Sequence, residues 1–536
     1  MAIAGDRIVA VGANDEIRKL AVSGTQQVDL EGRTVLPGLT DSHVHPLGAA
    51  MYEFDHPLPE METVADVLQY VANRADVLPD GEWIKLQQVF VTRLRDQRYP
   101  TRAELDRAAP KNPVVFRTGP DAALNSLALE RSGIDKAFEI TDGGPGQVER
   151  DPATGEPNGI LRGCTRLIRD RPSGRESTED DRYRRLKELF AAYNRVGITS
   201  VSDRSANDES LGLYQRLKDQ GELTCRVYAY YHVSEPLVPI EEVAAAIERI
   251  AGHPLHGDDP LLRVGGIKLF LDGGMLTGSA YMQRPWGVSE IYSIRDPDYR
   301  GVQLIPTDRL EQIVRLAIEH ELQPTAHSVG DAAVTTLIAA YEKASKDLDV
   351  RAMRPCLTHA NFMTADAIER MKSLGIVADL QPAWLYLDGA TLLKQFGDER
   401  LRYFQPYRTL FEKGVVVGGG SDHMQKIGPR RSVNPYDPFW GMWITLARQP
   451  RWLDEPLHVE QTLSREQAIR LYTINNAYLT FEENRKGSLE RGKLADFIVL
   501  DRDILTCPVE EVQNIAVRET YLGGKKVFNA DDPTIR

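Results

Sequence analysis

The chain alternates short apolar stretches with helix-like stretches over most of its length, and this alternation constrains the fold more than any other feature. Such a pattern is typical of βα units around a parallel sheet. Eight apolar stretches are predicted to be strands, the number that closes a (β/α)8 barrel. The first ends at His43/His45, and the other seven span 197–203, 226–232, 266–272, 323–330, 354–362, 375–382 and 415–422. The sequence therefore predicts an α/β fold built on a (β/α)8 TIM barrel.

Two further units are predicted around this barrel. The first two strands are separated by about 150 residues, far more than one crossover helix requires, so we expect an inserted subdomain at 60–185 that covers the barrel mouth. Its stretch DGGPGQVERDPATGEPNG predicts a turn-rich hairpin. The two chain ends each contain too few strand patterns to bury a face alone. We therefore expect 1–38 and 485–536 to form one small β-sandwich domain, with the barrel domain at 39–484.

Composition excludes several classes of function. The net charge of −13, with no block of Lys and Arg, argues against nucleic acid as a partner. No apolar run approaches membrane-spanning length, so we expect a soluble protein without a membrane partner. Asp6 and Arg7 interrupt the apolar stretch that a signal peptide needs, which predicts a cytoplasmic protein. Cys164, Cys225, Cys356 and Cys507 form no C-x-x-C pair, which argues against a disulfide framework or zinc finger.

The predicted first strand ends in the histidine pair His43 and His45. Side chains alternate faces along a strand, so histidines spaced by one residue project the same way while Val44 packs on the other face. Neutral imidazole nitrogen is a preferred ligand of zinc-type ions. A pair of ordinary histidines is the favoured explanation of this spacing when nothing else supports a metal site.

Further polar residues of metal-ligating types lie at other predicted strand ends. His327 and His359 follow two successive strands, and Asp422 follows the glycine run of GGGSDH. A lone strand-end histidine is often a hydrogen-bonded core residue, and Asp422 is also placed to cap a helix. Because barrel chemistry lies at the carboxyl ends of strands, we expect all three to be metal ligands together with the histidine pair. Asp422 is also placed to take a proton from a bound water.

Lys268 lies within the apolar stretch GIKLFLDGG, where an ammonium group is costly unless it is paired or modified. One interpretation is a buried salt bridge to Asp272. The other is that CO2 carbamylates the neutral amine, which turns a cation into an anionic ligand that can bridge two metals. The residue type alone does not decide between them.

These motifs, VLPGLTDSHVHPLG, IKLFLDGG, AHSVGDAAV, LTHANF and GGGSDH with the tail GSLERGKLADFIVLD, resemble those of the metal-dependent amidohydrolase superfamily. More narrowly, the chain resembles the amidohydrolase family 3 branch, which includes N-substituted formamide deformylase and many uncharacterised hydrolases. The similarity spans nearly the whole chain, including LNSLALERSGI and NPYDPFWGMW. One motif departs from the family, because relatives commonly carry a histidine in S-G-H where this chain has Pro120 and Asp121. Substrate choice is therefore expected to differ.

The resemblance implies a binuclear metal centre. His43, His45 and Asp422 would hold one divalent ion, His327 and His359 a second, and carbamylated Lys268 would bridge them. Zinc is the expected metal, and some relatives work with a single ion. The metal-activated hydroxide would attack a carbonyl-type carbon, with Asp422 acting first as general base and then as general acid.

The implied function is hydrolysis of a non-peptide carbon–nitrogen bond (EC 3.5 class) in a small-molecule substrate. Candidate substrate-binding residues are His232, Gln381, Trp384 and His423, although packing or a hydrogen bond to a metal ligand explains each equally well. Weaker candidates in the insertion are Trp83, Arg93, Arg117 and Asp121. The alternatives are a deaminase of aminated heterocycles, a lactone or ester hydrolase, and a non-catalytic barrel, while homo-oligomer formation is left open.

Overall fold

The fold is centred on an eight-stranded parallel sheet. The computed structural model describes residues 1–87, 89–171, 174–233 and 238–532. Each strand of this sheet pairs with its neighbours in chain order. The strands are β1 (Leu39–Val44), β2 (Ile198–Ala206), β3 (Arg226–His232), β4 (Leu262–Phe270), β5 (Gln323–Ser328), β6 (Cys356–His359), β7 (Val377–Leu380) and β8 (Val417–Gly419).

The sheet curls until its first and last strands meet. The Asp422 amide donates to the His43 carbonyl at 2.8 Å, and the His45 amide donates to the His423 carbonyl at 2.9 Å. Gly420 permits this approach, because a Cβ there would lie 2.8 Å from the backbone nitrogen of His43. The predicted barrel is thereby confirmed, with β8 and β1 joined beyond the end of β8.

Helices surround the barrel in the order that βα units require. Their apolar faces are buried against the strands, as shown by Leu186 and Phe190 before β2 and by Leu337 and Ile338 after β5, all fully buried. The principal helices are Glu179–Arg195, Asp208–Asp219, Ile240–Ala251, Thr307–Glu319, Asp331–Ala344, Ala365–Leu374, Pro382–Phe396, Tyr407–Lys413, Pro438–Ala447, Arg465–Leu471 and Ile474–Leu479.

A second sheet of five strands lies in sequence between β1 and β2. Its strands are Ile84–Gln87, Val114–Thr118, Asp121–Leu124, Pro157–Arg162 and Gln147–Arg150, in that spatial order. The last two pair antiparallel, which confirms the predicted hairpin. Helices Val64–Val77, Arg102–Ala108 and Ser126–Ser132 accompany it. Within the predicted insertion 60–185, residues 88 and 172–173 lie outside the described residues, and the insertion boundaries stay a prediction.

Both chain ends contribute to a third sheet of four antiparallel strands. Val35–Pro37 pairs with Phe497–Leu500, which is followed in the sheet by Val517–Leu522 and Lys525–Asn529. A separate hairpin joins Ala2–Ala4 to Arg7–Ala10. The boundaries 1–38, 39–484 and 485–536 stay predictions, and residues 533–536 lie outside the described part.

Among the described helices, none combines the length and apolar character needed to cross a bilayer. The cytoplasmic location stays a prediction.

Candidate metal centre

The histidine pair lies at the carboxyl end of β1. His43 is the fifth residue of β1, and His45 precedes helix Pro46–Met51. Their Nε2 atoms are 3.3 Å apart, while Val44 between them is buried and bridges to the segment after β8. The alternation of side chains along the strand thus brings both imidazoles together, as predicted.

Asp422 reaches the same point from the segment after β8. Its Oδ1 lies 3.2 Å from His43 Nε2 and 3.1 Å from His45 Nε2. Its backbone adopts φ 57°, in the left-handed region, and its Oδ2 accepts a hydrogen bond from Asn434 Nδ2 at 3.1 Å. The carboxylate is therefore held with one oxygen toward the imidazoles and the other against Asn434.

The three ligand atoms fit a single divalent ion. Ligands at about 2.0–2.1 Å from a tetrahedral zinc ion lie roughly 3.3 Å from one another. The observed separations of 3.1–3.3 Å among His43, His45 and Asp422 match that spacing. The donor set of two imidazole nitrogens and a carboxylate oxygen also suits zinc and similar ions.

Electrostatics favours the ligating protonation state of this set. Burial lowers the pKa of His45, which keeps its imidazole neutral. Burial alone would raise the pKa of Asp422, but the adjacent imidazoles of His43 and His45 outweigh it and hold that pKa well below its ordinary value. A neutral imidazole and an ionised carboxylate are the forms that bind metal.

His359 at the end of β6 lies next to this set, and its ring centroid is 4.8 Å from that of His43. Its Nδ1 lies 2.7 Å from Gln381 Oε1. An amide oxygen can only accept, so Nδ1 carries the proton and Nε2 keeps a free lone pair. Gln381, predicted to bind substrate, is therefore seen orienting a predicted metal ligand.

Asp379 in β7 connects several of these groups. Its Oδ1 lies 3.5 Å from His43 Nδ1 and accepts from the His359 amide at 3.3 Å. Its Oδ2 lies 2.9 Å from the Arg204 guanidinium, and both side chains are fully buried. Burial would raise the pKa of Asp379, but Arg204 and then His43 outweigh that effect and lower it.

A second grouping, His43, His359 and Asp379, also brings three donor atoms close together. The guanidinium of Arg204 neutralises Asp379 at 2.9 Å and would repel a cation placed beside it. The Nδ1 atom of His359 is already engaged by Gln381. We therefore interpret Asp379 as the support that orients two imidazoles, and the set around Asp422 as the place for an ion.

His327 and Lys268 complete the predicted ligand set from β5 and β4. The His327 and His359 rings are 4.6 Å apart, and His327 Nε2 lies 3.3 Å from the Gly273 carbonyl oxygen. Burial and then the charge of Lys268 lower the pKa of His327 to about 3. The Lys268 side chain is fully buried, and its Nζ has no hydrogen-bond partner among the residues that the structure describes. Burial also lowers the pKa of Lys268 to about 8.

The salt bridge considered for Lys268 is not formed. The Asp272 carboxylate instead accepts hydrogen bonds from the backbone amides of Tyr281, Val329 and Gly330, each at 2.9 Å. These bonds place Asp272 at the loop after β4, where it also lies 3.6 Å from His327 Nε2. In the described part of the chain, no carboxylate lies within 4.0 Å of the Lys268 ammonium.

The other predicted substrate-binding residues differ in their surroundings. His232 ends β3 beside Lys268 in the sheet, with its ring edge-on to Phe270. Trp384 stacks on His359 with centroids 4.9 Å apart and donates to Asn434 Oδ1 at 3.0 Å. His423 is fully buried, and its ring nitrogens contact Tyr193 Oη at 2.8 Å and the Gln425 carbonyl at 2.8 Å. His423 therefore fixes the segment after β8 through protein contacts at both nitrogens.

The weaker substrate-binding candidates in the insertion are engaged by other groups of the protein. Asp121 is buried, accepts from the Gly163 amide at 2.7 Å and lies 3.5 Å from the Arg162 guanidinium. Arg93 is buried and pairs with Asp388 at 2.9 Å. Trp83 is buried in the apolar cluster of the insertion, and Arg117 donates to the Thr165 carbonyl at 3.5 Å.

Sequence reasoning missed Asp379, Arg204 and Asn434. Each lies in or near a predicted strand end or motif. Asp379 in GIVADLQP and Arg204 after GITSVSD stand in or beside apolar stretches that predict strands and carry no ligand pattern. The charges of Arg204 and Asp379 are the sequence signal that could have identified them. A charged residue in a strand that is buried on both faces requires a partner, and these two residues carry opposite charges.

This chain is similar to known proteins over nearly its whole length, including the barrel. The model of the amidohydrolase family matches residues 26–528. N-substituted formamide deformylase of Arthrobacter pascens is 28% identical, with 97% of this chain and 93% of that protein covered. Protein LONG AFTER FAR-RED 3 of Arabidopsis thaliana is 27% identical, with 98% and 88% covered. An uncharacterised metal-dependent hydrolase of Pyrococcus horikoshii shares the fold, with a TM-score of 0.65, 22% identity and coverage of 95% and 94%.

Proposed function

The chain belongs to the amidohydrolase family, and we propose that it is a metal-dependent hydrolase that cleaves a non-peptide carbon–nitrogen bond. Its substrate would be an amide, an N-acyl amine or a cyclic amide, in keeping with its similarity to a formamide deformylase. The observation that carries this proposal is the convergence of His43 Nε2, His45 Nε2 and Asp422 Oδ1 within 3.1–3.3 Å at the barrel mouth.

The residues that would hold metal fall into two sets. His43, His45 and Asp422 would bind one ion, and His327 and His359 a second, with zinc favoured by the nitrogen-rich donors. When bound, such ions supply Lewis acidity toward a carbonyl oxygen and lower the pKa of bound water to about 7. Lys268 would join the two sets as a carbamate: its neutral amine adds to the carbon of CO2, and the nitrogen releases one proton.

Asp422 supplies the proton transfers of the reaction. Its Oδ1 belongs to the ligand set, so Oδ2, held by Asn434 Nδ2 at 3.1 Å, is the atom that accepts the proton of the attacking water. Its lowered pKa keeps the carboxylate ionised, which is the form that can accept a proton. The same atom then delivers the proton to the leaving nitrogen, a transfer that contributes typically about 10²–10⁴-fold.

The surrounding side chains keep the imidazoles in the orientation that ligation requires. Gln381 accepts from His359 Nδ1, and Asp379 faces His43 Nδ1. Trp384 covers one face of the His359 ring. Because these partners are buried and already in place, the imidazoles need little rearrangement when an ion binds.

The test combines metal analysis with a substrate screen. Purified protein is expected to contain at least about one transition metal per chain, or to take it up, and to hydrolyse N-formyl amines, N-acyl amines or cyclic amides. The matched control is Asp422→Asn, which keeps the shape of the side chain but removes the charge and the base.

Three outcomes would overturn the proposal. Protein that contains and takes up no metal would exclude the ion site. Turnover confined to lactones or esters would identify a carbon–oxygen hydrolase, and ammonia release from aminated heterocycles alone would identify a deaminase.

A further inference from the structure

A cavity of about 320 Å³ lies beside the candidate metal centre, and none of the six predicted ligands lines it. It is partly open to solvent and is bordered by Tyr52 and 58–62, by 89–94 of the insertion, by residues within 425–435 after β8, and by Leu387, Trp440 and Arg451. We call it the β8-loop cavity. Its volume falls in the range of small-molecule sites, about 300–1,000 Å³.

One wall connects the β8-loop cavity to the metal centre. Arg93 lines the cavity, and its Nη1 donates to Asn434 Oδ1 at 2.9 Å. Asn434 in turn donates to Asp422 Oδ2 at 3.1 Å. The cavity is therefore a separate compartment, two hydrogen bonds removed from the candidate catalytic carboxylate.

Much of the lining is apolar. A hydrocarbon or aromatic group placed there would be removed from water against several large side chains, with a gain of roughly 25 cal/mol per Å² of buried apolar surface. These side chains are Tyr52, Leu58, Phe90, Leu94, Leu387 and Trp440.

The charged lining residues are mainly cationic, in contrast to the net charge of −13 on the chain. The cations are Arg93, Lys426, Arg430, Arg431 and Arg451, and the acids are Glu60 and Glu62. Three of the cations are neutralised by acids outside the lining, through the pairs Arg93–Asp388, Arg430–Asp437 and Arg431–Glu53. Glu62 is likewise paired, with Arg95, and Glu60 is exposed to solvent.

Two cations, Lys426 and Arg451, remain without a counter-ion. Within the described residues, no carboxylate lies within 4.0 Å of either side-chain charge. Lys426 is 6% exposed, and among the described residues its Nζ donates to the Pro59 carbonyl alone, at 3.3 Å. Arg451 is half-buried, and its guanidinium lies 4.0 Å from the centroid of the Trp452 ring. Its Nε donates to the Leu387 carbonyl at 3.2 Å, while its Nη2 is buried and has no hydrogen-bond partner among the described residues. A buried cation such as Lys426 is costly unless an anion is supplied, and Nη2 of Arg451 adds a buried, unpartnered donor to the same lining.

We propose that the β8-loop cavity binds an organic carboxylate with an apolar body, for which Lys426 and Arg451 supply the counter-charge. The apolar walls require a hydrocarbon or aromatic body rather than a small inorganic anion. A carboxylate matches the guanidinium and ammonium donors through charge-assisted hydrogen bonds. This site is independent of the reaction at the metal centre.

The test measures binding of benzoate and of its neutral isostere benzamide to the full-length, metal-loaded protein by titration calorimetry. Benzoate is expected to bind at least about tenfold more tightly than benzamide, because only the anion compensates the two cations. Both titrations are repeated after removal of metal with a chelator, where the proposed hydrolysis of benzamide cannot occur, and the preference for benzoate is expected to persist.

Two variants and one matched control locate the site. Lys426→Met and Arg451→Met are each expected to weaken benzoate binding severalfold, and the double variant to abolish the preference over benzamide. Arg430→Met changes a cation of the same lining that is already paired with Asp437, so its affinity is expected to stay within about twofold.

Several results would overturn the proposal. They are the absence of benzoate binding, equal binding of benzoate and benzamide, or benzoate affinity unchanged in the double variant. Loss of binding on removal of metal would assign benzoate to the metal centre instead. The comparison of the two ligands on the unmodified chain stands even where a variant fails to fold.

Discussion

The two halves of the candidate metal centre differ in how completely the protein forms them. In the half at β1 and β8, two imidazole nitrogens and a carboxylate oxygen lie within 3.1–3.3 Å of one another. In the half at β4 to β6, His327 and His359 face a lysine whose ammonium is buried without a hydrogen-bond partner. The first half has its anion, Asp422, among the ligand atoms themselves. In the second half the nearest carboxylates are already engaged, Asp272 by backbone amides and Asp379 by Arg204.

This difference indicates what the second half needs. Positive ligands cannot hold a cation, so Lys268 must become neutral or anionic before an ion binds there. A carbamate on Lys268 would give the second half the negative charge that Asp422 gives the first. The following predictions separate a centre with two occupied halves from one that uses only the first.

The largest effect is expected from Asp422→Asn. The substitution removes the anionic ligand and the proton acceptor of the first half, so turnover should fall by about 10²–10⁴-fold or below detection. Steady-state kinetics on the best substrate from the screen and metal content by mass spectrometry provide the measurement. Asp398→Asn is the control, because that side chain is 79% exposed. Full activity in Asp422→Asn would remove Asp422 from the mechanism.

The next prediction concerns Lys268→Met, which keeps the length of the side chain but cannot be carbamylated. If both halves are occupied, the unmodified protein in bicarbonate should bind about two ions per chain and the variant about one. Carbamate formation needs the neutral amine, and the pKa of Lys268 is lowered to about 8, so its yield should rise from pH 7 to pH 9. Carbon-13 NMR with labelled bicarbonate follows the carbamate.

The opposite result for Lys268→Met would identify a centre that binds one ion. Equal metal content in Lys268→Met and the unmodified protein, with no carbamate signal at pH 9, would show that only the first half binds an ion. The lysine would then be a buried cation beside Asp379 and Asp422, whose charges both favour its protonated form.

A smaller effect is expected from Asp379→Asn, which tests the support shared by both halves. Asp379 faces His43 of the first half and accepts from the His359 amide of the second. Loss of its charge should weaken metal affinity about 10–100-fold in both halves while the ligands remain. Competition with a chromophoric chelator measures affinity, and the absorption spectrum of the cobalt-substituted protein reports ligand geometry. An unchanged spectrum and affinity would reduce Asp379 to a packing role.

The barrel and the ligand positions follow from local sequence patterns, which explains why they could be predicted. Apolar stretches of strand length, each ending in a polar residue, mark the strand ends near His43, Lys268, His327 and His359. The polar supports behave differently. Arg204 and Asp379 are about 175 positions apart in the chain and become partners only when β2 and β7 close into the barrel.

The direction of side chains in the loops after the strands is equally hard to predict from the sequence. His423 directly follows Asp422, and the sequence predicts that Asp422 binds metal and that His423 binds substrate. In the structure the backbone turns at Asp422, with φ 57°, and the two side chains diverge. Asp422 faces the imidazoles, while His423 is enclosed by Tyr193 and Tyr436. The direction of a side chain after a strand ends depends on this turn, which no periodicity encodes.

The smallest effect is therefore expected from Tyr193→Phe, which tests the neighbour of the first half. The His423 Nε2–H donates to the Gln425 carbonyl, so Nδ1 accepts from the Tyr193 hydroxyl at 2.8 Å. Its loss leaves a buried acceptor unpaired and should lower the free energy of unfolding by about 1–3 kcal/mol, measured by urea denaturation. Metal content and kcat should stay unchanged, because Asp422 keeps its bond to Asn434. A variant of unaltered stability that loses metal would instead make His423 part of the centre and extend the first half beyond its three ligand atoms.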